Sequence, residues 1–566
     1  MKRKSSIVLT MILVVALLVS ACGKNEPSNA SGSNASPISS PDSKNNQGSN
    51  NDAEAKEATV ALKWQGPNYP FEDGTYAQKL MEETFNVSIT PVRIDDSQQL
   101  NLLLASGDIP DIMYISTSEL VGYVKNDVLA GIPLDMVKKF APDYYDIVVK
   151  QDPNVFTYGS LDGTLYGLPR LDAATAPYAL SIRGDWLKNV GSDVPTTLEQ
   201  LEEVFVKFRN NDPDQDGKKN TYAMSMGSDN LHSWFNSIFG AYNTNPFLWL
   251  ERDGKLQYGF TLNETKEALK LIAKWKSMDL IDPEFITDKS RTSGQDDISY
   301  KFSAGRIGYA DNISYDDQQW DNDGHLNAKW VAQHPEWQEF FGDPANTYVT
   351  EPFYSVPESG PQPVYVNMAP PTGPDGQSGT LVGNLLSRFI VFGKQVGDDE
   401  EKMERLLTIL NTLVSNEDVY VSIEFGAEGK VWEYNDAGQR VMKEGWTESA
   451  EYHPQGKNLG TGLFFDLLFA TNPDFLSAFG GPRAVQRYEK TKPITNHTGI
   501  GNAVKAPLAS ESKYPDLSAM LQEYIMKAIL GEVDIDATYD ATVAKWLSAG
   551  GEVLTQEANE WFASTK

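Results

Sequence analysis

Apolar and polar positions change rhythm several times along the chain. An uncharged, apolar run over residues 7–19 follows Lys2, Arg3 and Lys4. It is short for a bilayer span and has the length of the apolar centre of a secretion signal. From 23 to 56 apolar residues nearly vanish among Ser, Asn, Gly, Pro and Asp. That stretch buries too little to offset chain entropy and is expected to be a disordered tether. Regular patterning starts near Ala58. Residues 59–64 predict a strand, 74–85 a helix, 86–92 a strand carried by Val87, Ile89 and Val92, and 97–104 a helix. This alternation predicts βα units and a largely parallel sheet.

Further on, 179–183 predict a short strand. Over 196–208, Leu198, Leu201, Val204, Phe205 and Phe208 fall on one helical face, with Thr197 and Gln200 placed as a capping box. Over 263–278, Leu269, Ile272 and Trp275 oppose Lys266, Lys270 and Lys274. Residues 521–530 and 543–547 supply late helices. No repeat is visible. With 566 residues the chain is long enough for two α/β lobes after any signal is removed.

One cysteine changes the picture. Val19-Ser20-Ala21-Cys22 follows the apolar run, and Cys22 is the sole cysteine, so no internal disulfide can form. Small residues before a cysteine resemble a lipobox. This implies cleavage after residue 21, acylation (palmitate or a similar chain) at Cys22, and a location on the outer face of the cell membrane. Two acyl chains anchor firmly where one is marginal. Asp and Glu number 78 against 48 Lys and Arg, a net charge of −30, or about −33 without the three basic residues of the signal. Such a balance argues against nucleic acid as partner and favours neutral over acidic ligands, although a local basic pocket can override the global field. The five histidines are scattered. The chain has no H-E-x-x-H, G-x-S-x-G or G-x-x-x-x-G-K-[ST].

Several stretches resemble the family 1 extracellular solute-binding proteins, and within them the large lipoproteins of Gram-positive oligosaccharide importers. They are Ala105-Ser106-Gly107-Asp108-Ile109-Pro110-Asp111, then Leu161-Asp162-Gly163-Thr164-Leu165-Tyr166-Gly167-Leu168-Pro169, then Ile182-Arg183-Gly184-Asp185-Trp186-Leu187 with Val194-Pro195-Thr196-Thr197. Lys301-Phe302-Ser303-Ala304-Gly305-Arg306-Ile307-Gly308, Pro370–Gly376 and Glu557-Ala558-Asn559-Glu560-Trp561 follow in order. The resemblance implies an α/β, two-lobe periplasmic-binding-protein-like fold of type II with the ligand cleft between lobes. Hinge crossings are expected near Tyr178–Ser181, Tyr365–Pro370 and Leu413–Val419. The first lobe would then hold 58–178 and about 366–415, and the second 179–365 and about 416–566. The resemblance also implies an oligosaccharide ligand, delivery to membrane permease subunits of an ABC importer, a monomer and no catalysis. A secreted carbohydrate-active enzyme, needing only two carboxylates, and a surface receptor that presents ligand without transport are the alternatives.

The sharpest local motif is Asp212-Pro213-Asp214-Gln215-Asp216-Gly217-Lys218-Lys219-Asn220-Thr221. Oxygen donors at alternate positions followed by glycine match the start of a calcium loop. Asp212, Asp214 and Asp216 would give carboxylates, Lys218 its carbonyl and Asn220 its side-chain oxygen, making Ca2+ a structural ion. Ala223 stands where an EF-hand has its bidentate glutamate. By resemblance to alginate-binding proteins, Thr221 would be the last ligand. Sugars present apolar faces and hydroxyl edges, which suit aromatic platforms beside polar groups. The candidates are Trp64 above all, with Tyr69, Tyr114, Tyr178, Trp234, Tyr315 and Trp432, and Arg183 and Arg388 near the hinge.

Overall fold

The computed structural model describes residues 58–65, 73–92, 94, 97–171, 180–226, 235–288, 297–311, 366–383, 385–435, 438, 440–443, 472, 475 and 499–565. The expected signal and tether, Cys22, Tyr69, Tyr178, Trp234 and Tyr315 lie outside them.

Alternation shapes the first strand, β1 (Val60–Gln65), where Val60, Leu62 and Trp64 face inward while Ala61 and Lys63 face out. A helix follows at Tyr76–Phe85, begun by the Thr75 hydroxyl accepting from the Gln78 N–H and ended by Asn86 in the left-handed region (φ 50°). The chain then runs into β2 (Val87–Val92), parallel to β1. The helix Ser97–Ala105 leads to β3 (Ile112–Ser116), also parallel to β1. Asp162 (φ 50°) and Gly163 (φ 80°) make the tight turn of a hairpin, Ser160–Leu161 against Thr164–Leu165, as the Asp-Gly pair favours. The hairpin feeds β4 (Gly167–Leu171), which is buried throughout.

The chain next enters a second lobe through β5 (Leu180–Ile182). Its small antiparallel sheet sets β5 between β6 (Tyr309–Ala310) and β7 (Val366–Met368). Trp186 and Phe208 meet edge to face at 5.3 Å in its core. The helices Leu198–Asn210 and Asn263–Ser277 run where the periodicity places them, and the Thr197 hydroxyl accepts from the Gln200 N–H at 3.2 Å. After β8 (Thr380–Leu381) the chain returns as β9 (Leu386–Phe392). β9 inserts antiparallel between β3 and β4, completing a five-stranded sheet of order β2-β1-β3-β9-β4. A late strand, β10 (Gly499–Ile500), pairs parallel with β8. The helices Asp516–Leu530, Ile535–Trp546 and Glu552–Ser564 complete the second lobe.

Two separate apolar cores confirm the two-lobe α/β fold, one around the five-stranded sheet and one around the antiparallel sheet. Both lie within one compact unit, Glu57–Lys566. Two of the expected crossings move. Val366 and Met368 pack in the second core, and Thr372 bonds Thr196 and Leu198 through the backbone, so the second crossing falls between Leu381 and Leu386 and not at Tyr365–Pro370. Pro370 and Pro371 end β7, but the chain stays on the second lobe before turning back. The helices Glu400–Ser415 and Glu417–Phe425 both belong to the first lobe, where Ile423 is in the core. The Asn472 side chain still bonds the Val414 carbonyl there, at 2.7 Å. The chain is thus still on the first lobe past Leu413–Val419, and Val504 is back in the second core.

The candidate ligand cleft and the acidic loop

The carboxyl ends of β1, β3 and β4 and the start of β9 share one edge of the large sheet, which is where open α/β sheets bind ligands. A cavity of about 360 Å³ opens there between the lobes. Thr117, Ser118, Leu385 and Leu386 line it from the first lobe, and Trp249, Asn502, Lys505 and Glu511 from the second. A neighbouring hollow of about 300 Å³ shares Ser118, Trp249 and Glu511 and adds Tyr258, Tyr514 and Trp546. These sizes suit a small ligand.

Trp249 and Tyr258 face one another across a hairpin whose turn, Asp253-Gly254, takes φ of 52° and 77°. Their ring centroids are 5.0 Å apart, and Tyr258 stacks on Trp546 at 4.8 Å. The Asn502 side-chain oxygen accepts from the Trp249 N–H at 3.0 Å, fixing this wall. Glu511 keeps an exposed carboxyl on this wall. The wall thus offers aromatic surface, an amide and carboxyl oxygens. Sequence reasoning missed Trp249, Asn502, Lys505 and Glu511. The Asp-Gly turn marks the hairpin locally, but only tertiary packing carries it to the cleft.

The anticipated ligand residues divide. Trp64 is fully buried in the first core, because the two-residue period sets it on the same side as Val60 and Leu62. Trp432 is 4% exposed in a small cluster with Tyr420, and its indole N–H donates to the Gly426 carbonyl at 2.7 Å. Arg183 is held in place by the Asp185 carboxylate and the Phe302 carbonyl (2.9 Å), tying the start of one helix to the end of another. In this conformation these three are packing residues. Tyr114 and Arg388 sit at the cleft edge of the large sheet, with the guanidinium 5.0 Å from the Tyr114 ring centroid.

The acidic loop leaves the helix Leu198–Asn210 with Asp212, Gln215 and Gly217 at positive φ. One oxygen from each of Asp212, Asp214 and Asp216 lies within 4.8 Å of the others. The Asp214 Oδ1 is buried without a hydrogen-bond partner among the described residues. Burial pushes the Asp214 carboxyl up, and the Asp216 and Asp212 neighbours push it further. The Lys218 ammonium (3.0 Å) and the Asn220 amide (3.1 Å) both meet the Asp216 Oδ2. Three converging carboxylates and an unsatisfied oxygen fit a hard, oxygen-seeking dication. Thr221 does not fit as a side-chain ligand. It is buried, its hydroxyl donates to the Phe208 carbonyl at 2.8 Å, and its own carbonyl accepts from Arg209.

Comparison with known proteins agrees with this geometry. Over 569 residues, 99% of each chain, the sequence is 24% identical to the polygalacturonan/rhamnogalacturonan-binding protein YtcQ of Bacillus subtilis strain 168. The fold is similar to the Streptococcus pneumoniae ABC-transporter substrate-binding protein FusA, in an EF-hand mutant complexed with fructo-nystose. That match has a TM-score of 0.61 at 17% identity and covers 89% of this chain and 99% of that one. It is equally similar to the alginate-binding protein AlgQ2 without calcium ion, with a TM-score of 0.61, 17% identity, and 90% and 98% coverage. These relatives are binding proteins and not enzymes, and so is this chain. Residues 75–363 match the model of the bacterial extracellular solute-binding proteins, the family to which the chain belongs.

Proposed function

We propose that the chain is the oligosaccharide-binding subunit of a carbohydrate ABC importer, anchored by lipid at Cys22. It takes its ligand in the cleft between lobes and delivers it, as a monomer, to membrane permease subunits. The end-to-end similarity to YtcQ carries this reading, since both lobes and the cleft between them are included. The aromatic and polar wall at Trp249, Tyr258, Asn502 and Glu511 supports it, because such pairing suits the faces and edges of sugars. A tether between anchor and body would keep the cleft close to the permease. Bound calcium in the Asp212–Asp216 loop would cross-link a surface turn far in sequence from the cavity lining and do no chemistry. Asp212, Asp214 and Asp216 would hold it, with Asn220 and the Lys218 carbonyl completing the cage.

The test is a melting curve of the body from Ala58 onward, with calcium, across neutral and acidic oligosaccharides and free monosaccharides. A ligand that binds only the folded state adds about 2.7 kcal/mol at a hundredfold over its dissociation constant. A rise with one glycan class supports the reading. No rise with any sugar, while another solute raises the curve, refutes it.

A further inference from the structure

Among the described residues, the ligand edge of the large sheet carries a cation without an ion pair, Arg388. Arg388 lies on β9, an interior strand, and register sets it beside Ser116 of β3 and Arg170 of β4. Ser116 ends β3 and Arg170 is next to last in β4, so this row borders the cleft. Thr117 and Leu386, one and two residues away along the chain, line the inter-lobe cavity. Side chains on an interior strand are ordinarily covered, yet Arg388 is exposed. It makes no ion pair among the described residues. Its guanidinium instead rests over Tyr114, whose N–H donates to the Gln65 side chain at 2.7 Å.

Arg388 is suited to an anion. The stack on Tyr114 limits its rotamers, so its planar fork is partly oriented before a ligand arrives. A fork of that shape matches the two oxygens of a carboxylate.

We propose that the cleft takes an anionic, uronate-bearing glycan, with one sugar carboxylate held by Arg388 and Tyr114 acting as a positioning residue beneath it. This deepens the oligosaccharide reading and rests on it. It also reverses the preference for neutral sugars drawn from net charge, because a guanidinium in contact with the ligand outweighs a distant, screened field.

The experiment is calorimetric titration of the body with a galacturonic acid oligomer, with the same oligomer as its methyl ester, and with a neutral oligosaccharide. The acid is expected to bind on the order of tenfold or more tightly than its ester, as for a charge-assisted hydrogen bond. Raising salt should weaken the acid and spare the ester. Arg388→Gln should bring the acid down to the ester and leave the ester unchanged, with an unaltered melting curve showing that the fold persists. Tyr114→Leu should shrink the same acid-to-ester ratio. Equal binding of acid and ester, or a preference that survives Arg388→Gln, overturns the uronate proposal while the glycan reading stands. Binding of the neutral glycan alone overturns it in the same way. Failure of every glycan defeats the glycan reading and this proposal together.

Discussion

At Asp214 a single oxygen, buried and without a hydrogen-bond partner among the described residues, sets how the acidic loop should behave. Left alone, it sits among carboxylates that push its own ionisation away. With a dication in the loop, the same crowding becomes a cage. Chelator should therefore lower the melting temperature of the body, and Asp214→Ala should abolish that response while lowering the melting temperature in calcium. Identical curves with and without chelator for the unaltered chain would show that the loop is an ordinary acidic turn. The three carboxylates were legible because their spacing is local. Thr221 was not, since its hydroxyl is claimed by the end of the helix that packs beneath it. Trp64 could have been placed from the sequence by counting in twos from Val60. Its position at a strand end suggested a cleft residue, but its parity makes it core.

Among elements, the family-like stretches are tied to partners distant in sequence, and in two cases to one another. Asp111 accepts from the Lys63 N–H at 2.7 Å and from Lys402 at 3.0 Å, so that motif pins β1 to a first-lobe helix that comes after the second-lobe excursion in the chain. The Arg183 N–H donates to the Gly308 carbonyl at 2.9 Å, joining two further stretches. Thr372 bonds Thr196 and Leu198, joining two more. Asn559 exchanges two hydrogen bonds with Leu256, both 2.9 Å. Each stretch reads alone as a turn or helix start, so its partner could not be seen in the sequence. The short helix Asn236–Ala241 shows the same dependence. A Cβ on Gly240 would stand 1.9 Å from the Gly379 carbonyl oxygen, just before β8. Gly240→Ala should push β8 from its place and destabilise the protein by about 1–3 kcal/mol in urea unfolding, as overpacking does. Hydrogen exchange should quicken first at Thr380 and Leu381. A neutral result would mean that the helix and β8 are less tightly apposed than described.

Over the whole molecule the lobes are joined by more than the hinge strands. Lys505 of the second lobe meets Asp152 of the first at 2.8 Å, beside Tyr158, whose hydroxyl donates to the same carboxylate at 2.8 Å. Trp561 on the final helix packs against the Tyr158 ring at 5.9 Å, and Lys125 reaches the Ala509 carbonyl at 3.2 Å. Burial alone would push the Asp152 carboxyl up. Lys505, the Asn154 N–H and Tyr158 outweigh it and hold the carboxyl below the ordinary value of 3.8. A carboxyl lowered in the folded state stabilises above its ordinary value, and that stability is lost as pH falls through the folded value. Asp152→Asn should therefore cost about 1 kcal/mol near neutral pH, given that Lys505 is partly exposed. The gap between variant and parent should close below pH 3.8. A gap unchanged across that window would mean that the ion pair contributes nothing to stability. The parallel units were legible from alternation and spacing, and the two-lobe plan from the resemblance to the solute-binding family. The later crossings were not, because strands of two or three residues such as β7 and β8 carry too little pattern to show which lobe they join.

The most direct test of the account is a calorimetric titration of the body, in calcium, with uronic and neutral oligosaccharides. The account predicts one glycan bound per chain, with a negative heat-capacity change from surface buried in the cleft. Substitution of Asn502, which fixes the Trp249 wall, should weaken that binding. A folded chain that binds none of these glycans would contradict it.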